Sequence, residues 1–381
     1  MKIMADQKNI LSNWKTYAKI IGKEDEEELP IQLGHSIVAD GYVPGKKNGV
    51  FTHFHADHMK IKDIESATQY DKILFHRITY NVATALKPTL QQRMNIKPME
   101  YGQQHTTKFG EVITLYDADH VLGSSQILVD VDNVKILYSG DFVFPSADTP
   151  KCDILVLDAS HGLPQFNTPT EKDSVLRTVL KEIKTRLETQ SVVVSASRGS
   201  LQELMNYLDE GNDEDDISGE IPFLAKNDDL VIKNALYGTE SKIDRQFMDY
   251  ATPESYQIRK YGEPCVIFTT EQRILEPEVQ TMYWYYVDRY NFSNDANISE
   301  HTGGHVFETN GEWKKDDNGN EIHKNIGRIN LSAHTTYDGL IDYVDKNEPK
   351  IILVDSSRGK HSVELASDLT KKFTRPGISM P

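Results

Sequence analysis

The chain has 381 residues, 38% of them hydrophobic, and a formal net charge of −16 from 42 Lys and Arg against 58 Asp and Glu. This describes a soluble protein with chain enough for one large or two ordinary domains. No apolar run approaches the ~18 residues of a membrane span, two distant cysteines (Cys152 and Cys265) exclude a disulfide framework, and the acidity weighs against an overall basic surface for gripping nucleic acid.

Residues 1–15 are polar and mixed in charge, with no secretory h-region. A cytoplasmic location is expected, or a nuclear one in a eukaryote. The first 45 residues begin helix-like and end in Ile37-Val38-Ala39-Asp40-Gly41, a short strand closed by a turn. From about Val50 to Ser160 strands and helices alternate. Ile113–Tyr116, Gln126–Val129, Lys135–Tyr138 and Asp153–Asp158 read as strands rich in β-branched and aliphatic residues. Ser174–Thr189 has helical periodicity, Ser191–Ser195 reads as a buried strand, and Leu201–Leu208 as a helix.

The stretch 161–325 has a different grain. It holds an acidic run, Asp209–Asp216, an aromatic run, Met282–Tyr290, and a polar run, Lys314–Asn320. Glu24–Glu28 is a second acidic run, and both are read as solvated loops. Tyr283-Trp284-Tyr285-Tyr286 could stack nucleobases, but core packing of a helix is the expected role. Strand–helix–strand order then returns with Arg328–Leu331, Tyr337–Asn347 and Lys350–Val354. The expected organisation is an outer α/β domain, 1–160 and 326–381, interrupted by an insertion at 161–325.

The chemistry centres on Thr52-His53-Phe54-His55-Ala56-Asp57-His58, in the order H-x-H-x-D-H after an apolar strand-like lead-in. Two His at i and i+2 of an extended segment share a face. The following turn can aim Asp57 and His58 at a neighbouring point, which suits two metal ions. Three further strand ends carry ligand-type residues: His120, Asp141 and His334. His53, His55 and His120 make one nitrogen set, Asp57, His58 and His334 the other. Asp141 bridges, and a water or hydroxide completes both shells. A donor set of N and O without Cys suits zinc first, with manganese or iron as alternatives. His301 and His305 form a rival pair of ligands with poorer strand context.

This order of motifs resembles the metallo-β-lactamase superfamily. The resemblance implies an αββα sandwich with metals at one edge of two sheets. Asp40 is similar to the family's early strand-end Asp, which supports the site without binding metal. The gap between residues 141 and 334 is far longer than thioesterase-type members need. It resembles the β-CASP nucleases, which insert an α/β domain there. Thr52–His58, Leu115–Gly123, Ile136–Phe142, Leu155–Ser160 and Ser332–Tyr337 are similar to that group's motifs. The resemblance implies supporting roles for Asp117 and Asp158. Across 200–325 little matches.

RNA-processing members carry a further His after the strand equivalent to Ile351–Val354. Here Asp355-Ser356-Ser357-Arg358 stands there, with His361 close by. DNA-repair members of the cross-link-repair and Artemis branch also lack that His, so this branch and a DNA substrate are expected ahead of RNA. The implied function is a metal-dependent 5′ exonuclease in which two cations hold a hydroxide for in-line attack and release a 5′-phosphate. Asp57 and His334 take the catalytic roles. Ser332, Arg198, Arg358 and Lys360 are candidates for binding phosphate, Arg198 at the start of a helix. The alternative is hydrolysis of a small thioester or lactone on the same scaffold, and a third reading is an idle binding module.

Overall fold

Short runs of Ile, Val and Leu broken by Gly, Asp and Pro set a rhythm of brief buried strands. The structure is a computed structural model and describes residues 13–22, 28–167, 172–210, 217, 221–239, 247–270, 279, 282–288, 306–308, 314–315, 321–322, 326–330, 334–358, 361–373 and 377–380. Ser332, Lys360, His301, His305 and most of the acidic runs at 24–28 and 209–216 lie outside the described residues, as does 316–320 of the polar run.

The strands β1 (Ala18–Ile20), β2 (Ile31–Leu33), β3 (Ile37–Ala39), β4 (Asn48–Phe51), β5 (Lys72–His76) and β6 (Ile96–Met99) form one sheet in sequential order. The pairs from β3 to β6 are parallel. Parallel neighbours need crossovers, and the helices Ile61–Ser66 and Arg77–Leu86 supply two of them. A second sheet starts with β7 (Gln104–Thr106), β8 (Val112–Asp117), β9 (Ser125–Val131) and β10 (Val134–Tyr138) as an antiparallel meander. β11 (Ile154–Leu157) then joins β10 in parallel.

The chain divides into two compact units, Met1–Pro169 with Ala333–Pro381, and Thr170–Ser332. The second unit contains β12 (Val192–Ala196), β13 (Phe223–Ala225), β14 (Phe247–Asp249), β15 (Val266–Thr269), β16 (Tyr283–Asp288), β17 (Val306–Glu308), β18 (Lys314–Lys315), β19 (Glu321–Ile322) and β20 (Ile326–Asn330). Seven of these make a sheet in the order β14-β13-β15-β12-β16-β20-β17, and β18 pairs only with β19 among the described residues. The helices Lys172–Leu187, Ser200–Asp209, Asn227–Tyr237 and Pro253–Tyr261 accompany it.

Two expectations are corrected here. The aromatic run expected in a helix is the strand β16, paired in parallel with both β12 and β20. Residues 326–330, expected to begin the returning outer domain, are β20 of the second unit's sheet.

In the first unit, β21 (Ile351–Asp355) and β22 (Gly377–Met380) complete the second sheet in the order β22-β21-β11-β10-β9-β8-β7. Side chains alternate across a strand, and this divides the core cleanly. Ile136, Tyr138, Ile154, Val156, Ile351 and Leu353 face a cluster shared with Ile31, Leu33, Ile37, Val50 and Leu74 of the first sheet. Leu137, Leu155, Leu157, Ile352 and Val354 pack instead with Leu340, Ile341 and Val344 of the helix Tyr337–Asn347 and with Leu365 and Leu369 of the helix Ser362–Lys372. The unit is the αββα sandwich. Among the described residues no helix is long and apolar enough to cross a membrane.

Cys152 and Cys265 are both buried and unpaired with each other. Burial is the leading cause that raises both thiols, and the thiolate is the reactive form. A disulfide reagent at pH 8 is therefore expected to label neither cysteine in the native chain and both after denaturation, read as thionitrobenzoate release.

Candidate metal centre

The strand β4 stops at Phe51, and residues 54–58 bend and turn rather than extend. His53 and His55 thus converge through a turn and not by strand alternation, their ring centroids 4.4 Å apart. The buried Phe54 between them anchors the turn, and the amides of His58 and Met59 both donate to the His55 carbonyl. His120 follows β8 through a loop whose backbone is fixed by Ser124: Oγ accepts from the amides of His120 and Val121. Asp117 shapes the same loop by accepting from the Asp119 amide. Asp141 follows β10 through Gly140, at φ +52, where a Cβ would meet Thr52 Cγ2 at 2.9 Å. Only glycine holds that conformation freely while Asp141 is delivered so close to the His53 turn.

The side chains meet around Asp141, which is buried, as are His53, His55, His58, His120 and His334. Asp141 Oδ2 lies 3.7 Å from His53 Nε2, 3.4 Å from His120 Nε2 and 3.8 Å from His334 Nε2. Its Oδ1 lies 3.2 Å from His58 Nε2. His55 Nδ1 is 3.2 Å from His120 Nε2. Around a tetrahedral zinc with bonds of about 2.0–2.1 Å, neighbouring ligand atoms sit about 3.3–3.4 Å apart. The observed separations bracket that spacing, so the donor set fits a divalent cation by both chemistry and distance. His53, His55, His120 and Asp141 form one group whose ligand atoms all lie within 4.8 Å of one another; Asp141, Asp158 and His334 form a second. Asp57 borders the cluster, its Oδ2 3.6 Å from His58 Nε2 and its side chain 39% exposed.

Two buried carboxylates, Asp40 and Asp158, contact the Nδ1 side of the imidazoles and fix ring orientation. Asp40 Oδ2 accepts from His58 Nδ1 at 2.8 Å, which turns Nε2 of that ring toward Asp141. The same Asp40 accepts from the Thr52 amide and hydroxyl. Asp158 Oδ2 lies 3.3 Å from His334 Nδ1, and its other oxygen accepts from the Ser160 amide and hydroxyl. With one oxygen in the turn and one against the imidazole, Asp158 is built to hold His334 in place.

The charges are strongly linked. Burial acts to lower the His58 pKa, but Asp141 and Asp57 outweigh it and raise the imidazole well above 6.5. Burial acts to raise Asp141, but His58 and His334 outweigh it and hold the carboxyl well below 3.8. A raised His stabilises the fold fully below its ordinary value and loses that contribution as pH rises through the raised one. A depressed Asp contributes above its ordinary value and loses it as pH falls through the depressed one. The pair is thus at full strength between the two ordinary values.

Of the proposed phosphate ligands, Arg358 is corrected. Its side chain is 4% exposed and pairs with Asp355 at 3.3 Å. It also donates to the carbonyls of Leu29, Asp40 and Asp57. A guanidinium spent on buried carbonyls is not offered to substrate. Arg198 belongs to the second unit, half-buried in the turn before the helix Ser200–Asp209, where its charge acts on Asp229. Sequence reading missed His161, which is buried with its ring centroid 5.4 Å from that of His334. Its only signal was its place three residues after Asp158.

Three outcomes follow. Asp40→Ala should weaken zinc binding about ten- to a hundredfold, measured by competition with a chromophoric chelator. Cation affinity for the wild type should rise from pH 6 to pH 8 in the same assay, because a cation must displace the proton that His58 retains. Arg358→Met should lower the unfolding free energy by about 3–5 kcal/mol by leaving Asp355 unpaired, measured by denaturant titration.

No protein-family model matches the chain. It is 25% identical over 367 residues to an RNase J-like protein of Methanocaldococcus jannaschii, covering 86% of this chain and 85% of that protein. It is 21% identical over 356 residues to cleavage and polyadenylation specificity factor subunit 3 of Dictyostelium discoideum, covering 86% of this chain but 44% of that protein. A crystal structure of a protein of unknown function from Enterococcus faecalis shares the fold, with a TM-score of 0.56 at 9% identity over 96% of both chains. The sandwich, the His/Asp cluster at its strand ends and these relatives agree: the chain has the metallo-β-lactamase fold, and its relatives are β-CASP metal-dependent nucleases.

Proposed function

We propose that this protein is a metal-dependent RNA nuclease that uses a two-cation centre, with zinc as the native metal. The observation that carries the reading is the convergence of four imidazoles on the two oxygens of buried Asp141 at cation-like spacing. His53, His55 and His120 would hold one ion. Asp57, His58 and His334 would hold the other, with Asp141 between them. Bound cations would supply the positive charge that a phosphodiester's oxygens and its attacking water require near neutral pH.

The chain's own groups have distinct tasks. Asp57 is the partly exposed carboxylate of the cluster, placed to orient the attacking water and accept its proton. His334, held through Nδ1 by Asp158, keeps Nε2 for the cation that would offset the charge on the departing oxygen. Attack forms a new P–O bond in line with the P–O3′ bond that breaks, leaving a 5′-phosphate. Asp40 and Asp158 keep the rings in register throughout.

RNA is favoured over the DNA expected from sequence because the relatives reported above carry RNase and pre-mRNA cleavage names. The missing His after β21 supported DNA, but Asp355 there is taken up by Arg358 and Ser357. That position therefore serves the scaffold and says little about substrate. The 5′ exonuclease mode and a cytoplasmic location are retained as parts of the proposal.

The test offers zinc- or manganese-loaded protein a 5′-phosphorylated single-stranded RNA, the matching DNA and a small thioester. RNA cleavage in a 5′-to-3′ ladder, reduced at least about a thousandfold by Asp57→Ala, is the expected result. Preference for DNA would restore the sequence-based expectation, and turnover of the thioester alone would overturn the nuclease reading.

A further inference from the structure

Beside His334 the first unit carries a row of rings that the reaction above does not use. The His161 centroid lies 5.4 Å from His334 and 5.4 Å from Phe166, and Phe166 lies 5.5 Å from His361. The row begins at the buried rings of His334 and His161 and ends at Phe166 and His361, which are half-buried. It therefore runs from the metal centre to the surface.

Two anchors hold it. Gly162 sits so near the segment before the last helix that a Cβ there would meet the His361 carbonyl oxygen at 2.8 Å. Asn167 Oδ1 accepts from the Asp338 amide at the start of the helix Tyr337–Asn347. His361 itself adjoins the helix Ser362–Lys372 and accepts from the Leu365 amide. Phe166 and His361 are thus presented from fixed backbone, as a binding surface requires.

We propose that Phe166 and His361 form a stacking subsite for an unpaired nucleobase of the strand whose phosphate lies at His334. The inference rests on the nuclease reading for its occupant. An aromatic ring offers its face to any base, and stacking on such a ring tolerates sequence. A paired base in a duplex already has both faces covered. The subsite therefore selects single-stranded substrate beside the reacting phosphate, with little preference among bases.

The test compares a single-stranded RNA oligonucleotide with the same oligonucleotide lacking the base next to the cleaved phosphate, on the metal-loaded full chain. Phe166→Leu keeps apolar bulk and removes the ring, and Phe166→Trp keeps a ring. The ratio of kcat/KM for the intact RNA to that for the abasic strand should fall about ten- to a hundredfold in the Leu variant and recover in the Trp variant. A second readout needs no turnover: an oligonucleotide carrying 2-aminopurine, bound to metal-free protein, should show quenched fluorescence that the Leu variant loses. An unchanged ratio, or equal loss on both substrates, would mean that Phe166 only props the loop, and would overturn the proposal. If the wild type cleaves neither phosphodiester, the nuclease reading fails, and the fluorescence readout still decides whether a base stacks there.

Discussion

A carboxylate taken out of water must find compensating charge, and Asp141 finds it in four imidazoles. Much of the first unit can be understood as the means of bringing that encounter about. β4 delivers His53, His55 and His58 from the first sheet, while β8 and β10 deliver His120 and Asp141 from the second. The sandwich places the ends of strands from both sheets at one edge. The aliphatic layer between them, from Ile31 and Val50 to Val156 and Leu353, fixes their separation. Hydrophobic packing thus sets distances that the polar centre alone could not maintain, because its groups differ in charge with every proton gained or lost.

A second tier of carboxylates makes the centre specific. Asp40 and Asp158 each give one oxygen to an imidazole; the other accepts from the Thr52 amide after the neighbouring strand β4 in Asp40, and from Ser160 of its own turn in Asp158. A ring held at Nδ1 can present only Nε2 inward. This is how His58 and His334 keep a defined donor atom toward Asp141. Asp40 holds a left-handed backbone at φ +50, a conformation that Asp tolerates better than most residues. The local strain is sustained by its bonds to Thr52 and His58.

Much of this was legible from sequence. Aliphatic runs that stop at Asp mark strand ends, so Asp141 and Asp158 could be placed there from sequence, while the supporting role of Asp158 came from the family resemblance. What was not legible depended on distant partners. Arg358-Gly359-Lys360 reads as an anion loop until the carbonyls of residues 29, 40 and 57 are seen around the guanidinium. Tyr283–Tyr286 has no alternation, since β16 is a parallel strand with a neighbour on each side. A continuous apolar run of that kind does not distinguish a strand from a buried helix. His55 and His53 do lie together, but by a geometry other than the one expected: a turn, not a strand, brings the two rings together.

The clamp at Arg358 also bears on how the protein is made. Its guanidinium joins the C-terminal segment to three loops from the first sixth of the chain. His334 likewise belongs to the part of the first unit that follows residue 332. Synthesis runs from the N-terminus, and domains fold as their residues emerge. A nascent chain that has passed Asp141 holds His53, His55, His58 and His120, yet it has neither the last imidazole nor the clamp. The centre can therefore be completed only after the whole second unit has been translated.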